Sequence, residues 1–305
     1  MATVTRAQVA LSTGSLYNLG LDRVFELASR AGYDGVELLV DARRDTYDVP
    51  YLERLRERWG MPILSVHSPF ARRVDGWPDA SEGRAEQALR LAEAVAAEAV
   101  VVHTPLCWHL VHGQSTLRRR PFGFIVPWPN RAEARYARWL CKELPLLQAG
   151  SRVRIALENM PARRFLGFIG SLYRFVSVEE LCRWPHLVLD TTHWGTWGVD
   201  PLAVYQALRG RVVHVHLSDY DGREHRVPFE GRLGLERLVR RLGEDGFRGV
   251  VVVELDPWAV ARGDWTEGNL MGRLAGVVGE VRVALGATSS HSQPTRAATA
   301  SRSGL

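Results

Sequence analysis

Lysine is almost missing from this chain. Lys142 is the single lysine in 305 residues, inside the helical-looking segment RAEARYARWLCKEL. Schiff-base chemistry needs a desolvated amine in an active site, so lysine-based aldolase and pyridoxal mechanisms are disfavoured. Cysteine is nearly as scarce. Cys107, Cys141 and Cys182 are scattered and odd in number, which argues against a disulfide framework and against a cysteine zinc motif. No apolar run approaches the roughly 20 residues needed to cross a bilayer. The opening MATVTRAQVALSTG lacks the basic and long apolar regions of a secretory signal. The expectation is a cytoplasmic protein of enzyme size with no membrane partner.

What is present is ordinary globular composition, 46% hydrophobic and 24% charged, which excludes a mainly disordered chain. Short β-branched runs recur along it: Gln8–Ser12, Gly35–Val40, Pro62–His67, Glu98–His103, Val153–Glu158, His186–Asp190, Arg211–His216 and Gly249–Glu254. Several are almost continuously apolar, as strands buried on both faces must be. Amphipathic helices lie between them. Leu21, Val24, Phe25 and Ala28 follow helical spacing, with Gly32 placed to end the helix. Ser177 and Glu180 read as a capping box. Leu235, Leu238, Val239 and Leu242 form another stripe, with Gly243 expected as its stop.

Eight alternations of strand and helix predict a single (β/α)8 barrel over residues 1–286. A doubly wound sheet is the competitor, but STGSLYNLG after the first run only weakly resembles a phosphate-binding turn. AGYDGVELL and DGFRGVVVVEL form a faint internal echo, each reaching a strand glutamate. Long βα loops are expected after the fourth and fifth strands, over Thr104 to about Asn130 and Asn159 to about Phe175. The polar, aperiodic residues 287–305 are expected to be a disordered tail.

The last six runs end on His67, His103, Glu158, Asp190, His216 and Glu254. With 34 acidic residues and 10 histidines among 305, six such ends in succession are hard to attribute to composition. Barrel active sites lie where strand C-termini converge, and converging carboxylates repel unless a cation joins them. Glu158, Asp190, His216 and Glu254 are therefore the candidate ligands of one divalent metal. Carboxylate-rich ligation suits Mn²⁺, Mg²⁺ or Co²⁺, whereas recruiting His67 and His103 favours Zn²⁺. His193, three residues after Asp190, could reach the same centre. His214 shares a strand face with His216.

The ordered motifs ALENM (156–160), LDTTH (189–193), HVHLSD (214–219), REHRVPFEG (223–231) and VVVEL (251–255) resemble the xylose isomerase-like TIM-barrel superfamily. That group includes sugar-phosphate isomerases and epimerases, ketose 3-epimerases, hydroxypyruvate isomerases, inosose dehydratases and endonuclease IV-type apurinic endonucleases. The resemblance implies a metal held by Glu158, Asp190, His216 and Glu254, with Glu158 and Glu254 also acting as the acid–base pair. It implies substrate contacts from His193 and from Arg223 or Arg226. The endonuclease pattern places zinc ligands at His67, His103, Glu158, Asp190, His193, His216, His225 and Glu254, but Arg223 stands where it has an aspartate. The implied reaction is isomerisation or epimerisation of a sugar, sugar phosphate or keto acid by proton transfer through an enediolate. The alternatives are a zinc-dependent apurinic endonuclease or a metabolite dehydratase.

Arginines follow several strands, at Arg43–Arg44, Arg72–Arg73, Arg118–Arg120, Arg163–Arg164, Arg223 and Arg226, and forked donors suit an anionic substrate. Net charge is +5. Arg296 and Arg302 in the tail supply two of these charges, and the remaining +3 is too little to demand nucleic acid. Trp194, Trp197 and Trp258 are expected at the barrel mouth, with Trp194 a substrate contact. Such aromatics serve equally for stacking on a sugar or for contact with a second subunit.

Overall fold

A computed structural model describes residues 6–70, 73–117, 120–165 and 167–286. Twelve strands occur among them: β1 Gln8–Ser12, β2 Gly35–Leu39, β3 Ile63–His67, β4 Ala99–His103, β5 Trp108–Leu117, β6 Arg120–Pro129, β7 Arg154–Glu158, β8 Arg163–Phe165, β9 Phe168–Gly170, β10 Leu187–Asp190, β11 Val212–Leu217 and β12 Val250–Val253. Eight of them close a parallel barrel in the order β1-β12-β11-β10-β7-β4-β3-β2. This is the (β/α)8 barrel that the alternation predicts, with each of the eight expected runs supplying one strand. The expected tail, 287–305, lies outside the described residues.

Strand periodicity decides what each face does, because successive side chains point to opposite sides of a sheet. Outward-facing Val9, Leu11, Val36, Leu38, Val100, Val102, Ile155, Leu157, Leu187, Leu189, Val215, Leu217, Val251 and Val253 join the helices in one large hydrophobic core. Inward-facing Ala10, Leu64, Val250 and Val252 form one small interior cluster, and Val101, Ala156 and Val188 form another. These two clusters plug the lower barrel. Two residues further along each strand, the same inward parity delivers His103, Glu158, Asp190 and Glu254 to the C-terminal mouth. An apolar plug with a polar layer above it thus follows from sequence alternation alone.

The helices pack as their stripes direct. Leu21–Ala31 buries Leu21, Val24, Phe25 and Ala28 and ends at Gly32, whose φ of 91° is left-handed, a conformation that glycine adopts without a Cβ clash. Ser177 and Glu180 form both bonds of the capping box. Gly243 corrects its expectation: the helix runs on from Leu235 to Glu244. A Cβ at Gly243 would lie 2.2 Å from the Leu285 carbonyl oxygen, so this glycine permits close helix approach rather than termination.

The two long connections also differ from expectation. Each contains an antiparallel hairpin, β5 with β6 in register from Trp108↔Pro129 to Leu117↔Arg120, and β8 with β9 from Arg163↔Gly170 to Phe165↔Phe168. Prolines made the first segment read as a loop. Pro121, Pro127 and Pro129 share one parity along β6, and a two-stranded ribbon has a free edge where a missing N–H is tolerated.

Candidate metal centre

Asp190 ends β10 and at once caps the next helix, Thr191–Trp197, its Oδ1 accepting the His193 backbone N–H at 2.6 Å. That cap leaves Oδ2 facing the mouth. Asn159, directly after β7, fastens two strands by exchanging hydrogen bonds with the Asp190 backbone at 2.8 and 3.1 Å. Its carbonyl also receives His193 Nδ1 at 2.8 Å, which turns His193 Nε2 outward. Thr191 Oγ1 donates to the carbonyls of His216 and Ser218. The end of β11 is thereby fixed against the helix that follows β10.

The imidazole of His216 lies at the middle of the cluster. Its Nδ1 is 3.1 Å from Glu158 Oε1, 3.1 Å from Glu254 Oε2 and 3.8 Å from Asp190 Oδ2. Donor atoms of Glu158, Asp190, His216 and Glu254 all fall within 4.8 Å of one another. Glu158, Asp190 and His216 are at most 1% exposed, and the Glu254 side chain is 14% exposed toward the mouth. Among the described residues, Glu158 Oε2, Asp190 Oδ2 and Glu254 Oε2 are buried oxygens that make no hydrogen bond. One oxygen each from Glu158, Asp190 and Glu254 with one imidazole nitrogen of His216, all within 4.8 Å of one another, are a donor set that fits a divalent cation.

The electrostatics show how strongly these groups act on one another. Burial, opposed by His225 but reinforced by the nearby Glu158 and Glu254 charges, raises the Asp190 carboxyl well above its usual range. Burial also disfavours charge on His216, yet Glu37, Glu254 and Glu158 hold its pKa well above the ordinary histidine value. For Glu254 the burial penalty is outweighed by His216 and His225, and its carboxyl is pushed down to about 2. A cation among these oxygens would offset the carboxylate charges that raise Asp190.

Two further groups adjoin this set. His67 Nε2 and His103 Nε2 lie 3.4 and 3.1 Å from Glu158 Oε2 and 3.2 Å from each other. His67 Nδ1 meets the Ser68 carbonyl at 2.9 Å, leaving Nε2 to face the centre. The third group is His193, Glu224 and His225, again with donor atoms within 4.8 Å. Glu224 neighbours Arg223, the position where the endonuclease pattern has its aspartate, and is ion-paired with Arg163.

The expected substrate contacts differ in their surroundings. Trp194 is 4% exposed and belongs to the hydrophobic core, because the helix capped by Asp190 carries it inward rather than to the mouth. Arg223 is exposed, and Arg226 is held by Asp221 at 3.3 Å. Arg43 is likewise engaged by Asp41 at 2.7 Å. Trp258 is 65% exposed, edge-on to Trp265. Arg72, Arg118 and Arg119 lie outside the described residues.

Glu37 and Glu224 are the members that sequence reasoning missed. Glu37 is fully buried inside the barrel, 2.9 Å from His214 Nε2 and 3.1 Å from His216 Nε2. Its signal was available: it stands between outward-facing Val36 and Leu38 and so faces inward. Glu224 carried no signal beyond its nearness to His225.

A barrel of this kind, with carboxylates and imidazoles gathered at the strand C-termini, is a (β/α)8 protein whose side-chain clusters could hold a metal ion. The profile of the xylose isomerase-like TIM barrel family matches residues 25–268, and the chain belongs to that family. It is 32% identical to an uncharacterized protein of Mycobacterium bovis, over 81% of this chain and 88% of the relative. Among solved structures it resembles an AP endonuclease of family 2 from Brucella melitensis, with TM-score 0.63 and 17% identity over 90% of this chain and 98% of that one. It also resembles a D-allulose 3-epimerase from Methylomonas sp. in complex with D-allulose, with TM-score 0.61 and 15% identity over 90% and 97%. No helix among the described residues is long and apolar enough to cross a membrane.

Proposed function

We propose that this protein is a divalent-metal-dependent isomerase or epimerase of a sugar, sugar phosphate or keto acid, moving a proton through an enediolate. The observation that carries the reading is the convergence of Glu158, Asp190, His216 and Glu254 donor atoms within 4.8 Å. A bound Mn²⁺, Mg²⁺ or Co²⁺ supplies Lewis-acid polarisation of adjacent carbonyl and hydroxyl oxygens, which acidifies the intervening C–H.

The chain's own residues supply the rest. Glu158 from β7 and Glu254 after β12 flank Asp190 and His216 from the two strands between them. Each of these glutamates has a buried oxygen that accepts no hydrogen bond and lies beside an imidazole, so each can hold a proton as well as ligate. Two carboxylates on separate sides of a substrate allow removal from one face and return to the other, which is epimerisation. Return to the neighbouring carbon by one of them is isomerisation. His193, oriented by the Asn159 carbonyl, is placed to hold a substrate oxygen.

A cavity of about 160 Å³ opens beside His103 and takes in Phe70, Thr104, Asn130, Glu133 and Tyr173. Thr104 Oγ1 is buried there without a hydrogen-bond partner, and Phe70 lies over the His67 and His103 rings at 4.8 and 4.2 Å. An aromatic ring beside an unpaired hydroxyl suits the hydroxylated end of a small carbohydrate.

The test is solvent deuterium uptake by a panel of free and phosphorylated ketoses and of keto acids, with Mn²⁺ present. Uptake that disappears in Glu254→Gln supports the proposal. A panel that stays unlabelled while abasic DNA is nicked refutes it. That second outcome belongs to a zinc nuclease, a reading favoured by the His67–His103–Glu158 and His193–Glu224–His225 groups. It requires close to three zinc ions per chain where the isomerase requires one.

A further inference from the structure

We infer that Glu37 is a positioning residue for the metal centre: from the second strand it grips His216 through Nε2 and so aims Nδ1 at Glu158, Asp190 and Glu254. The inference rests on the metal-dependent reading above. His216 Nε2 sits astride the Glu37 carboxylate, 3.1 Å from Oε1 and 3.3 Å from Oε2. The opposite ring nitrogen is the one that faces the other three candidate ligands. An imidazole ligates through a lone pair, so one ring nitrogen must carry the hydrogen and the other must not. A carboxylate on Nε2 selects the Nε2–H form and leaves the lone pair on Nδ1. It also makes that nitrogen a better donor to a cation.

The surroundings of Glu37 show that it is itself held in place. Ser65 Oγ donates to Glu37 Oε2 at 2.9 Å, and His214 Nε2 lies 2.9 Å from the same oxygen. Glu37, Ser65, His214 and His216 are all 0% exposed. Packing does not call for such a group. The adjoining inward positions are filled by Ala10, Leu64, Val250 and Val252, and a buried ionic cluster is on average no more stable than apolar side chains of similar volume. A carboxylate kept at this depth, with one oxygen and one nitrogen of the His216 contact left for orientation, is explained by what it does to His216.

The experiment compares wild-type protein with Glu37→Gln, Glu37→Ala and Ser65→Ala. It uses calorimetric titration with Co²⁺, the visible spectrum of the Co²⁺ form, and thermal melting of the metal-free form. Loss of a carboxylate behind a ligating histidine weakens metal affinity by about 10–100-fold. The expected order is Glu37→Ala weakest, Glu37→Gln intermediate because its amide oxygen still accepts from Nε2–H, and Ser65→Ala closest to wild type. The Co²⁺ bands shift in both Glu37 variants, while the metal-free melting temperature does not follow the affinity. Unchanged Co²⁺ affinity and spectrum in the Glu37 variants overturn the inference, as does an affinity loss that simply tracks lower metal-free stability. Ser65→Ala gives the same reading should the Glu37 variants fail to fold, since it loosens the carboxylate without touching His216. If the wild type itself takes up no Co²⁺, Mn²⁺ or Zn²⁺, the metal-dependent reading falls, and this inference with it.

Discussion

Replacing Asp190 by asparagine separates the two tasks of that side chain. Oδ1 caps the helix Thr191–Trp197 by accepting the His193 N–H, and asparagine caps as well as aspartate does. Oδ2 is the buried, unpartnered oxygen offered to the metal. Asp190→Asn therefore keeps the cap and removes a charge that the metal-free barrel holds only under strain. Asp190→Ala loses the cap too, at about 1 kcal/mol, or roughly 2–4 °C in melting temperature for a domain of this size. In EDTA at pH 8, Asp190→Asn should melt at or above the wild type and Asp190→Ala below it. Both should bind Co²⁺ on the order of 100-fold more weakly, at least as severe as losing a partner behind a ligand. The pH dependence fixes the sign. The Asp190 carboxyl is raised in the folded state above its unfolded value near 3.8, so between those values the folded form holds the extra proton. Stability of the metal-free wild type then falls as pH rises through that window. His216, raised above 6.5, contributes stability that is complete below that value and lost as pH climbs through its folded one. Saturating Co²⁺ displaces both protons, so the gap between loaded and metal-free melting temperatures should widen with pH. A gap that is constant or narrows from pH 6 to 8, or an Asp190→Asn protein that melts like Asp190→Ala, refutes this account.

Glu254→Gln keeps an oxygen at the centre but removes a base, and the deuterium exchange rate should fall by about 10²–10⁴-fold while calorimetry still detects bound Mn²⁺. Gly243→Ala inverts the usual helix preference: alanine in a helix ordinarily gains about 1 kcal/mol over glycine, but the Cβ would meet the Leu285 carbonyl at 2.2 Å. A net loss of roughly 1–3 kcal/mol is expected in urea unfolding, and a stabilised variant would contradict the close approach. Arg163→Ala releases Glu224 from its ion pair. If the His193–Glu224–His225 group takes up zinc, the zinc content measured by atomic absorption should rise in this variant, and unchanged content argues that the group stays empty.

The barrel was legible because its code is redundant. Each outward-facing set, such as Val251 and Val253 or Ile155 and Leu157, repeats the same instruction, and helix stripes such as Leu235, Leu238, Val239 and Leu242 repeat it from the other side. The candidate centre was legible at Glu158, Asp190 and Glu254 because a carboxylate closing an apolar run has no bland neighbour to hide it. Glu37 escaped because it lies inside its strand rather than at the end, and one charge within GVELL reads as a solvent-facing position of a half-buried strand. Only barrel closure shows that both faces of β2 are buried. Trp194 was misplaced for the converse reason. Sequence gave its distance from Asp190, but not that a helix starts at Thr191 and swings it under the rim. Gly243 failed as a stop signal because tertiary contact with Leu285, not local conformation, decides its identity.

The depth of the polar layer has a mechanical consequence. Beside Glu37, His214 and His216 the barrel interior is filled by Ala10, Leu64, Val250 and Val252, with His214 in register with Val250 and His216 with Val252. Glu254 is the most exposed carboxylate of the set, its side chain 14% exposed. Glu158 is only 1% exposed. This asymmetry bears on the two glutamates as acid and base. A proton on the more exposed Glu254 exchanges with solvent between turnovers, whereas one held by the buried Glu158 exchanges slowly. An enzyme using both should therefore incorporate close to one solvent deuterium per turnover when Glu158 removes the proton and the exchangeable Glu254 returns one, and less than one when Glu254 removes it and the shielded Glu158 returns one. The ratio of labelled to unlabelled product, measured in each direction of the reaction, thus assigns a face to each carboxylate, and equal labelling in both directions would contradict the assignment by burial.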